Sequence, residues 1–168
     1  MIAIRALCAA DAETFARGER AQGWHSEEKK FLNRLADAGM GKCASLVAEF
    51  EGEPAGYISV YFSAEHGPFR DLRIPELVDF AVLEKFRRRG VGSALMDAAE
   101  AIAFQRSNVI SIGVGLHSGY GSAQRMYVRR GYVPDGSGVW FRDAVAEPYQ
   151  PVVHDDELIL YLAKEKRK

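Results

Sequence analysis

The amino-acid sequence predicts an α/β protein whose central sheet is mixed, largely antiparallel and flanked by helices on both faces. Apolar residues alternate at the period of a strand in several short segments and recur at the period of a helix in others. A hairpin turn at residues 51–54 joins two strand segments, and a third strand follows with no helix between them, so these three are antiparallel neighbours. The 168 residues suit one domain with one core, which we assign to residues 1–168.

Each segment carries its own signal, and together they predict six to seven strands. Ile2 and Ile4 alternate with Ala3 and Arg5, as in a strand. Ser26 followed by two glutamates is a good N-cap for the second helix. The predicted helices are residues 10–22, 26–38, 91–102 and 118–130, and the predicted strands are residues 2–7, 43–51, 55–63, 77–83, 108–116, 132–134 with 139–141, and 157–163, followed by a solvated basic tail at 164–168.

The most informative segment is the strand at 77–83 with the turn and helix that follow it. Gly90 and Gly92 let a ligand approach bare backbone, because they have no Cβ. The first N–H groups of the following helix have no intrahelical partners and carry partial positive charge. With three arginines at 87–89, these features predict an anion site, most naturally for phosphate. A dinucleotide-binding turn fits less well and a Walker loop is excluded, because G-x-G-x-x-G and G-x-x-x-x-G-K-[ST] are both absent.

Composition limits the functional classes. Hydrophobic residues make up 48% and charged residues 27%, as in a soluble globular protein, and the net charge of −1 argues against a nucleic-acid or membrane-surface binder. Cys8 and Cys43 form no C-x-x-C pattern and the chain has no histidine cluster, so we expect neither a disulfide framework nor a metal site. The first residues lack the apolar region of a signal peptide, which makes the cytoplasm the expected location.

The pattern Arg87-x-x-Gly90-x-Gly92 between a strand and a helix resembles the acyl-CoA pyrophosphate loop of the GNAT superfamily of N-acetyltransferases. A second family pattern, Asn-x-x-Ala-x-x-Leu-Tyr-x-x-x-Gly-Phe, is matched from Tyr120 by YGSAQRMYVRRGY, with tyrosine in place of asparagine. The family's asparagine contacts the pantetheine arm, and Ser118 or Ser122 would replace that contact here. The resemblance covers essentially the whole chain and implies the GNAT acyl-CoA N-acyltransferase fold.

The resemblance implies acetyl-CoA as cosubstrate. The strand before the loop would pair with pantetheine through its backbone, and Gly113 and Gly115 on the next strand would help to admit the thioester. The Val82 N–H would polarise the thioester carbonyl. The implied cofactor-binding residues are Ala81, Val82, Leu83, Arg87, Arg88, Arg89, Gly90, Val91, Gly92, Ser93, Ser122 and Tyr127.

Acetyl transfer to an amine needs a group that takes the amine's proton and an acid that protonates the leaving thiolate. Tyr127 is the candidate acid, because the family places a tyrosine near the sulfur; the alternative is a core tyrosine. Asp79, the carboxylate inside an apolar strand, is the candidate base through water, and it should be paired, hydrogen-bonded or raised in pKa. Its alternative is a satisfied structural aspartate. Glu76 is the second candidate base.

The acceptor pocket would be lined by Trp24 and His25, between the first two helices, and by His66 in the loop before the fourth strand. The predicted function is therefore an acetyl-CoA-dependent N-acetyltransferase of a primary amine, with neither nucleic acid nor membrane as partner and with homodimerisation left open. A catalytically silent acyl-CoA-binding or sensor module is the alternative. A nucleotide-phosphate binder using the same loop is a third reading.

Overall fold

The computed structural model describes residues 1–167, and these form four α-helices and eight strands. The predicted α/β class is confirmed. None of these helices is long and apolar enough to cross a membrane. The strands are β1 Ile2–Ala6, β2 Cys43–Phe50, β3 Glu53–Tyr61, β4 Glu76–Val82, β5 Val109–Gly115, β6 Val133–Phe141, β7 Ala144–Val145 and β8 Leu158–Glu165, and the helices are α1 Ala9–Ala21, α2 Glu28–Gly39, α3 Val91–Ala103 and α4 Gly121–Arg129.

The chain divides into two compact units. The first comprises Met1–Phe62 and Leu77–Ala103, and the second comprises Ser63–Glu76 and the chain from Phe104 onward. Strands of the first unit lie in the order β1-β2-β3-β4, and those of the second in the order β5-β8-β6-β7. Pairing is antiparallel between β1 and β2, β2 and β3, β5 and β8, β6 and β8, and β6 and β7. The predicted largely antiparallel pairing is confirmed.

The core of the first unit forms because its strands and helices each present one apolar face. Val47 on β2 and Ile58 on β3 are fully buried. Phe15 of α1 and Phe31 of α2 stack with ring centroids 5.6 Å apart, and both rings lie 4.9 Å from that of Tyr57. Aromatic pairs in such stacked and edge-to-face arrangements stabilise a core beyond the area they bury. The two helices are thereby held against β3.

Two local predictions were wrong in detail. The hairpin turn consists of Glu51 and Gly52 alone, and both have left-handed φ values, 53° and 86°. A two-residue turn of this hand matches the twist of antiparallel strands, so pairing resumes at once with Glu53. The N-cap of the second helix is Glu27 rather than the predicted Ser26, which is buried. Glu27 makes no side-chain cap hydrogen bond.

Differences also occur in the second unit. Residues 135–138 are not a turn between two strands but lie inside β6, where the pairing register with β8 shifts between Pro134 and Val139. β7 lies at the start of a segment predicted to be irregular. Residues 118–120 form a 3₁₀ turn, and α4 begins only at Gly121. Lys164 and Glu165 belong to β8 rather than to a tail, and Lys168 lies outside the described residues.

We expect Gly56→Ala to destabilise the first unit. A Cβ at this position of β3 would lie 2.7 Å from the backbone carbonyl oxygen of Ala81 on β4, closer than a real Cβ comes to any atom. Overpacking of this kind costs about 1–3 kcal/mol, which urea unfolding would measure. Gly39→Ala is the matched control, because a Cβ there meets nothing within 4 Å. Equal midpoints for the two variants would contradict the close approach of β4 to Gly56.

Candidate functional site

The turn between β4 and α3 is built from backbone that only particular residues adopt easily. Arg88 and Gly90 have left-handed φ values of 62° and 83°. The Gly90 carbonyl accepts the hydrogen bond of the Ala94 N–H at 3.0 Å, so Gly90 caps α3. The N–H groups just before Ala94 belong to the first turn and have no intrahelical acceptor. Because α3 is 13 residues long, its N-terminus carries the full partial charge of a helix end.

The three arginines of this turn are exposed to solvent, and two have defined partners. Arg87 lies with its guanidinium 5.4 Å from the centre of the Trp24 ring, and it contacts Glu84 at 3.3 Å. Arg89 lies 5.2 Å from the centre of the Phe50 ring. Stacking on an aromatic face orients a guanidinium while leaving its N–H donors available at the edge. The turn therefore combines helix-end amides with accessible cations.

Gln22 links the end of α1 to this turn, and sequence reasoning did not single it out. Its side-chain oxygen accepts the Glu84 N–H at 2.9 Å. Its side-chain nitrogen is buried and has no hydrogen-bond partner among the described residues. A buried amide donor without an acceptor is costly and often marks a place for a ligand or water. No local pattern around Gln22 predicts this, because its partner is 62 residues away.

Asp79 adopts a left-handed φ of 53° in the middle of β4. Such a residue interrupts the alternation of a strand, as in a bulge, and costs free energy unless its surroundings hold it. Its carboxylate accepts a hydrogen bond from Arg34 Nε of α2 at 2.5 Å and is one-quarter exposed. Asp79 is thus paired, as an isolated carboxylate in an apolar strand should be.

The Asp79–Arg34 pair continues into a longer chain of contacts. Arg34 also donates to the Tyr61 hydroxyl, which in turn donates to Asp37. Burial, together with the Asp37 carboxylate, raises the pKa of Tyr61. The Tyr61 hydrogen bond lowers the pKa of Asp37. The network fixes the Asp79 side chain against α2.

A second tyrosine on β3, four residues earlier and therefore on the same face of the strand, has an analogous setting. Tyr57 donates to the buried Glu19 of α1, and Lys30 of α2 contacts Glu19 at 3.2 Å and Tyr57 at 2.7 Å. Burial and the negative charge of Glu19 raise the pKa of Tyr57 well above its usual range. Sequence reasoning missed both networks, because charged residues on the helices give no sign of which strand tyrosine they will meet.

Tyr127 lies on α4 in the second unit and is buried. Its ring packs against that of Tyr132, with centroids 5.9 Å apart. Burial and the nearby Tyr120 raise the pKa of Tyr127, so its hydroxyl stays protonated through and beyond neutral pH. Its packing is that of a core tyrosine, and its protonated hydroxyl is also able to donate a proton. Ser122 lies five residues earlier on the same helix and is exposed.

Tyr120, which stands where the family pattern has asparagine, is tied to its own unit. Its hydroxyl donates to Asp156 at 2.9 Å, and His117 contacts the same carboxylate oxygen at 2.8 Å. Burial and the Asp156 charge raise the pKa of Tyr120 to about 12. Its ring covers Gly115, where a Cβ would lie 2.3 Å from a ring carbon. Gln124, one turn later, donates to the Gly115 carbonyl at 2.8 Å.

Both glycines of β5 are therefore explained by side chains of the second unit. A Cβ at Gly113 would lie 3.0 Å from Ile159 and 3.2 Å from the ring of Tyr161. At Gly115 the same role belongs to Tyr120. The absence of a side chain allows an aromatic ring to lie directly on the strand. Admission of a thioester by these glycines stays a prediction.

The predicted acceptor residues each have different partners in the structure. Trp24 lies under Arg87 and so belongs beside the turn, while His25 is exposed with Glu27 3.8 Å away. His66 lies in the second unit, where its ring nitrogen is 3.4 Å from Asp143. Glu76, the second candidate base, is buried. Burial of Tyr161, and next the charge of Glu76, raises the pKa of Tyr161 to about 12. Acceptor binding by Trp24, His25 and His66 stays a prediction.

Comparison with known proteins identifies the class to which this fold and turn belong. The family model described as "Acetyltransferase (GNAT) family" matches residues 7–132, well over half of the chain. The protein belongs to the GNAT acetyltransferase family. A search of curated proteins found no match.

Solved structures of similar fold cover almost the full length of the chain. Ard1 from Thermoplasma volcanium is 20% identical, with a TM-score of 0.71 and 99% of each chain covered. The ribosomal-protein-S18-alanine N-acetyltransferase from Escherichia coli is 17% identical, with a TM-score of 0.70 and coverage of 98% of this chain and 94% of that one. The yncA protein of Salmonella typhimurium, solved with its cofactor acetyl-CoA, is 17% identical, with a TM-score of 0.68 and coverage of 99% and 95%.

Proposed function

We propose that this protein is an N-acetyltransferase that transfers the acetyl group of acetyl-CoA to a primary amine by direct attack in a ternary complex. The observation that carries the proposal is the turn before α3, where left-handed backbone at Gly90, a helix N-terminus and exposed arginines coincide. The three features together suit a diphosphate better than any one of them would alone. A related fold solved with acetyl-CoA supports the same ligand.

The residues at the turn fit acetyl-CoA. Backbone amides from Arg88 to Ser93 would hold its pyrophosphate, and the arginine side chains would neutralise its charge. Gly90 supports this fit, because a Cβ there would stand on left-handed backbone at the head of the helix. The bound cosubstrate supplies an activated thioester. The chain's own residues bind it, orient it and move protons.

Two proton movements remain for side chains. Asp79, through water, takes the proton of the attacking amine, and Tyr127 gives a proton to the leaving thiolate. Tyr127 remains protonated at neutral pH because its pKa is raised, so it is available as a donor. The backbone N–H of Val82 stabilises the charge that develops on the carbonyl oxygen.

The first experiment is a thermal-shift titration with acetyl-CoA, CoA and ATP, followed by an amine screen that measures release of free thiol. We expect acetyl-CoA and CoA to raise the melting temperature far more than ATP does, because only they match the whole site. Thiol release with at least one amine class would establish the reaction. Equal stabilisation by ATP would instead favour a nucleotide-phosphate binder.

A catalytically silent acyl-CoA-binding module is the second candidate, and the setting of Tyr120 favours it. The hydroxyl of Tyr120 is held by Asp156 and its ring covers Gly115, so the family's asparagine contact has no direct replacement at this position. This reading predicts acetyl-CoA binding without thiol release across primary amines, amino acids and peptide N-termini. The same amine screen decides between the two readings.

The role of Asp79 is tested by Asp79→Asn with Arg34→Gln as its matched control. Both variants break the same ion pair, but only the first removes the carboxylate. If Asp79 is the base, Asp79→Asn lowers kcat/KM by about 100-fold and abolishes the acid limb of its pH profile. Arg34→Gln keeps that limb. An unaltered pH profile in Asp79→Asn would transfer the role to Glu76 or to solvent.

A further inference from the structure

We propose that a basic groove in the second unit binds a small anion that carries several phosphate groups. The groove is open to solvent and has a volume of about 410 Å³. One aromatic and five cationic side chains line it: Phe104, Arg129, Arg130, Lys164, Lys166 and Arg167. None of them belongs to the proposed acetyl-CoA site.

The concentration of positive charge is the first argument. The chain has 22 Lys and Arg against 23 Asp and Glu, a net charge of −1. Five of the 22 line the groove, so the rest of the chain has 17 cationic against 23 anionic side chains, a net charge of −6. Cationic side chains gathered in one concave place raise the local concentration of anions, most of all of anions with several charges.

The second argument is that two of the ammonium groups are held in position around a single residue. Lys164 Nζ lies 6.0 Å from the centre of the Phe104 ring and 5.5 Å from that of Tyr132. Lys166 Nζ donates to the Phe104 carbonyl at 3.2 Å. These lysines are therefore pre-organised, which lowers the entropic cost of binding.

Helix ends explain part of this cluster. Arg129 and Arg130 stand at the C-terminal end of α4, where cations interact favourably with the helix dipole. Lys166, just after β8, donates to the carbonyl of Phe104, the residue that follows α3, and so acts on a helix C-terminus in the same way. Lys164, on β8, is held instead over the Phe104 and Tyr132 rings. The fold brings these cations from separate segments to one groove.

The chemistry of the lining favours phosphate groups over nucleobases. Lys164 lies over the Phe104 and Tyr132 rings, so the groove does not offer the open aromatic faces on which single-stranded nucleic acid stacks. Guanidinium and ammonium groups bind phosphate oxygens through short, charge-assisted hydrogen bonds. The site is therefore suited to a compact polyphosphate, either free or attached to a nucleoside.

Calorimetric titration of the full chain with inorganic tripolyphosphate tests the proposal. We expect one site per chain, and at least about tenfold weaker binding in Lys164→Gln/Lys166→Gln, because two charge-assisted contacts are lost. Arg129→Gln/Arg167→Gln should weaken binding similarly and changes different elements. Arg17→Gln/Lys29→Gln removes the same charge from exposed positions of α1 and α2 and should stay within twofold of the wild type.

Further arms separate this site from its competitors. Wild-type binding should persist in saturating acetyl-CoA; its loss would place tripolyphosphate at the turn before α3 and overturn the proposal. If acetyl-CoA itself fails to bind, the proposed function fails, but the groove variants still report on the groove. ATP binding that is equally sensitive to the lysines supports a nucleoside polyphosphate ligand. Tighter binding of a single-stranded RNA to the same groove, or unchanged affinity in both groove variants, would overturn the proposal.

Discussion

Tyr127→Phe is expected to lower kcat by about 100-fold or more, while leaving the affinity for acetyl-CoA within about threefold of the wild type. The reason is that the ring, which packs against Tyr132 at 5.9 Å, is kept and only the hydroxyl is lost. If that hydroxyl protonates the leaving thiolate, the loss is felt in the transition state and not in ground-state binding. Steady-state kinetics with thiol detection and a calorimetric titration measure the two quantities separately.

Tyr132→Phe is the matched control for Tyr127→Phe. It removes the hydroxyl of the other member of the same aromatic pair, and Tyr132 is nearly fully buried, like Tyr127. The family pattern itself has phenylalanine at this position. We expect kcat close to the wild type for Tyr132→Phe and a similar change in stability for both variants. Equal kcat in the two variants would show that Tyr127 is a core residue only.

Gly90→Val is expected to weaken acetyl-CoA binding by about tenfold or more, because at least one charge-assisted backbone contact to the diphosphate is lost. The φ of Gly90 is 83°, a conformation that a β-branched residue adopts only with strain. The side chain would also stand at the head of α3, where the proposed ligand would approach. Calorimetric titration with acetyl-CoA and with CoA checks the effect.

The strain of Gly90→Val must be separated from its effect on the ligand. Gly52→Val provides the comparison, because Gly52 has a φ of 86° in the same unit and a Cβ there meets nothing within 4 Å. Both variants should lose about 1–3 kcal/mol of unfolding free energy. Only Gly90→Val should lose acetyl-CoA affinity. Equal affinities in the two variants would remove the turn from the proposed site.

The order of the elements and the position of the glycine- and arginine-rich turn before α3 were predictable because their signals are local. Alternation in β1, helical spacing in α3 and glycine at position 90 each depend on residues a few positions apart. Details that depend on hydrogen-bonded partners were not predictable in the same way. Residues 135–138 look like a turn, yet pairing with β8 draws them into β6. Likewise, Ser26 has the chemistry of a cap but is buried.

The candidate site likewise has features that the sequence predicts and features that depend on distant partners. The carboxylate of Asp79 could be found from the sequence, because it interrupts an apolar strand. Its left-handed φ and its pairing with Arg34, 45 residues earlier, could not be found in this way. Tyr120 was recognised as a departure from the family pattern, but its hydrogen bond to Asp156 and its cover over Gly115 appear only in the folded chain.

The sequence by itself determined the α/β class, the order of strands and helices, and a glycine- and arginine-rich turn at the head of α3. These follow from hydrophobic periodicity and from the backbone freedom of glycine, and both depend only on residues that are close in sequence. Only the tertiary structure decided which distant residues meet: Asp79 with Arg34, Glu19 with Tyr57, and Lys166, just after β8, with the carbonyl of Phe104. Such meetings depend on the register and packing of elements that are distant in sequence, because a side chain's partner is set by where its element lies and not by its neighbours in the chain.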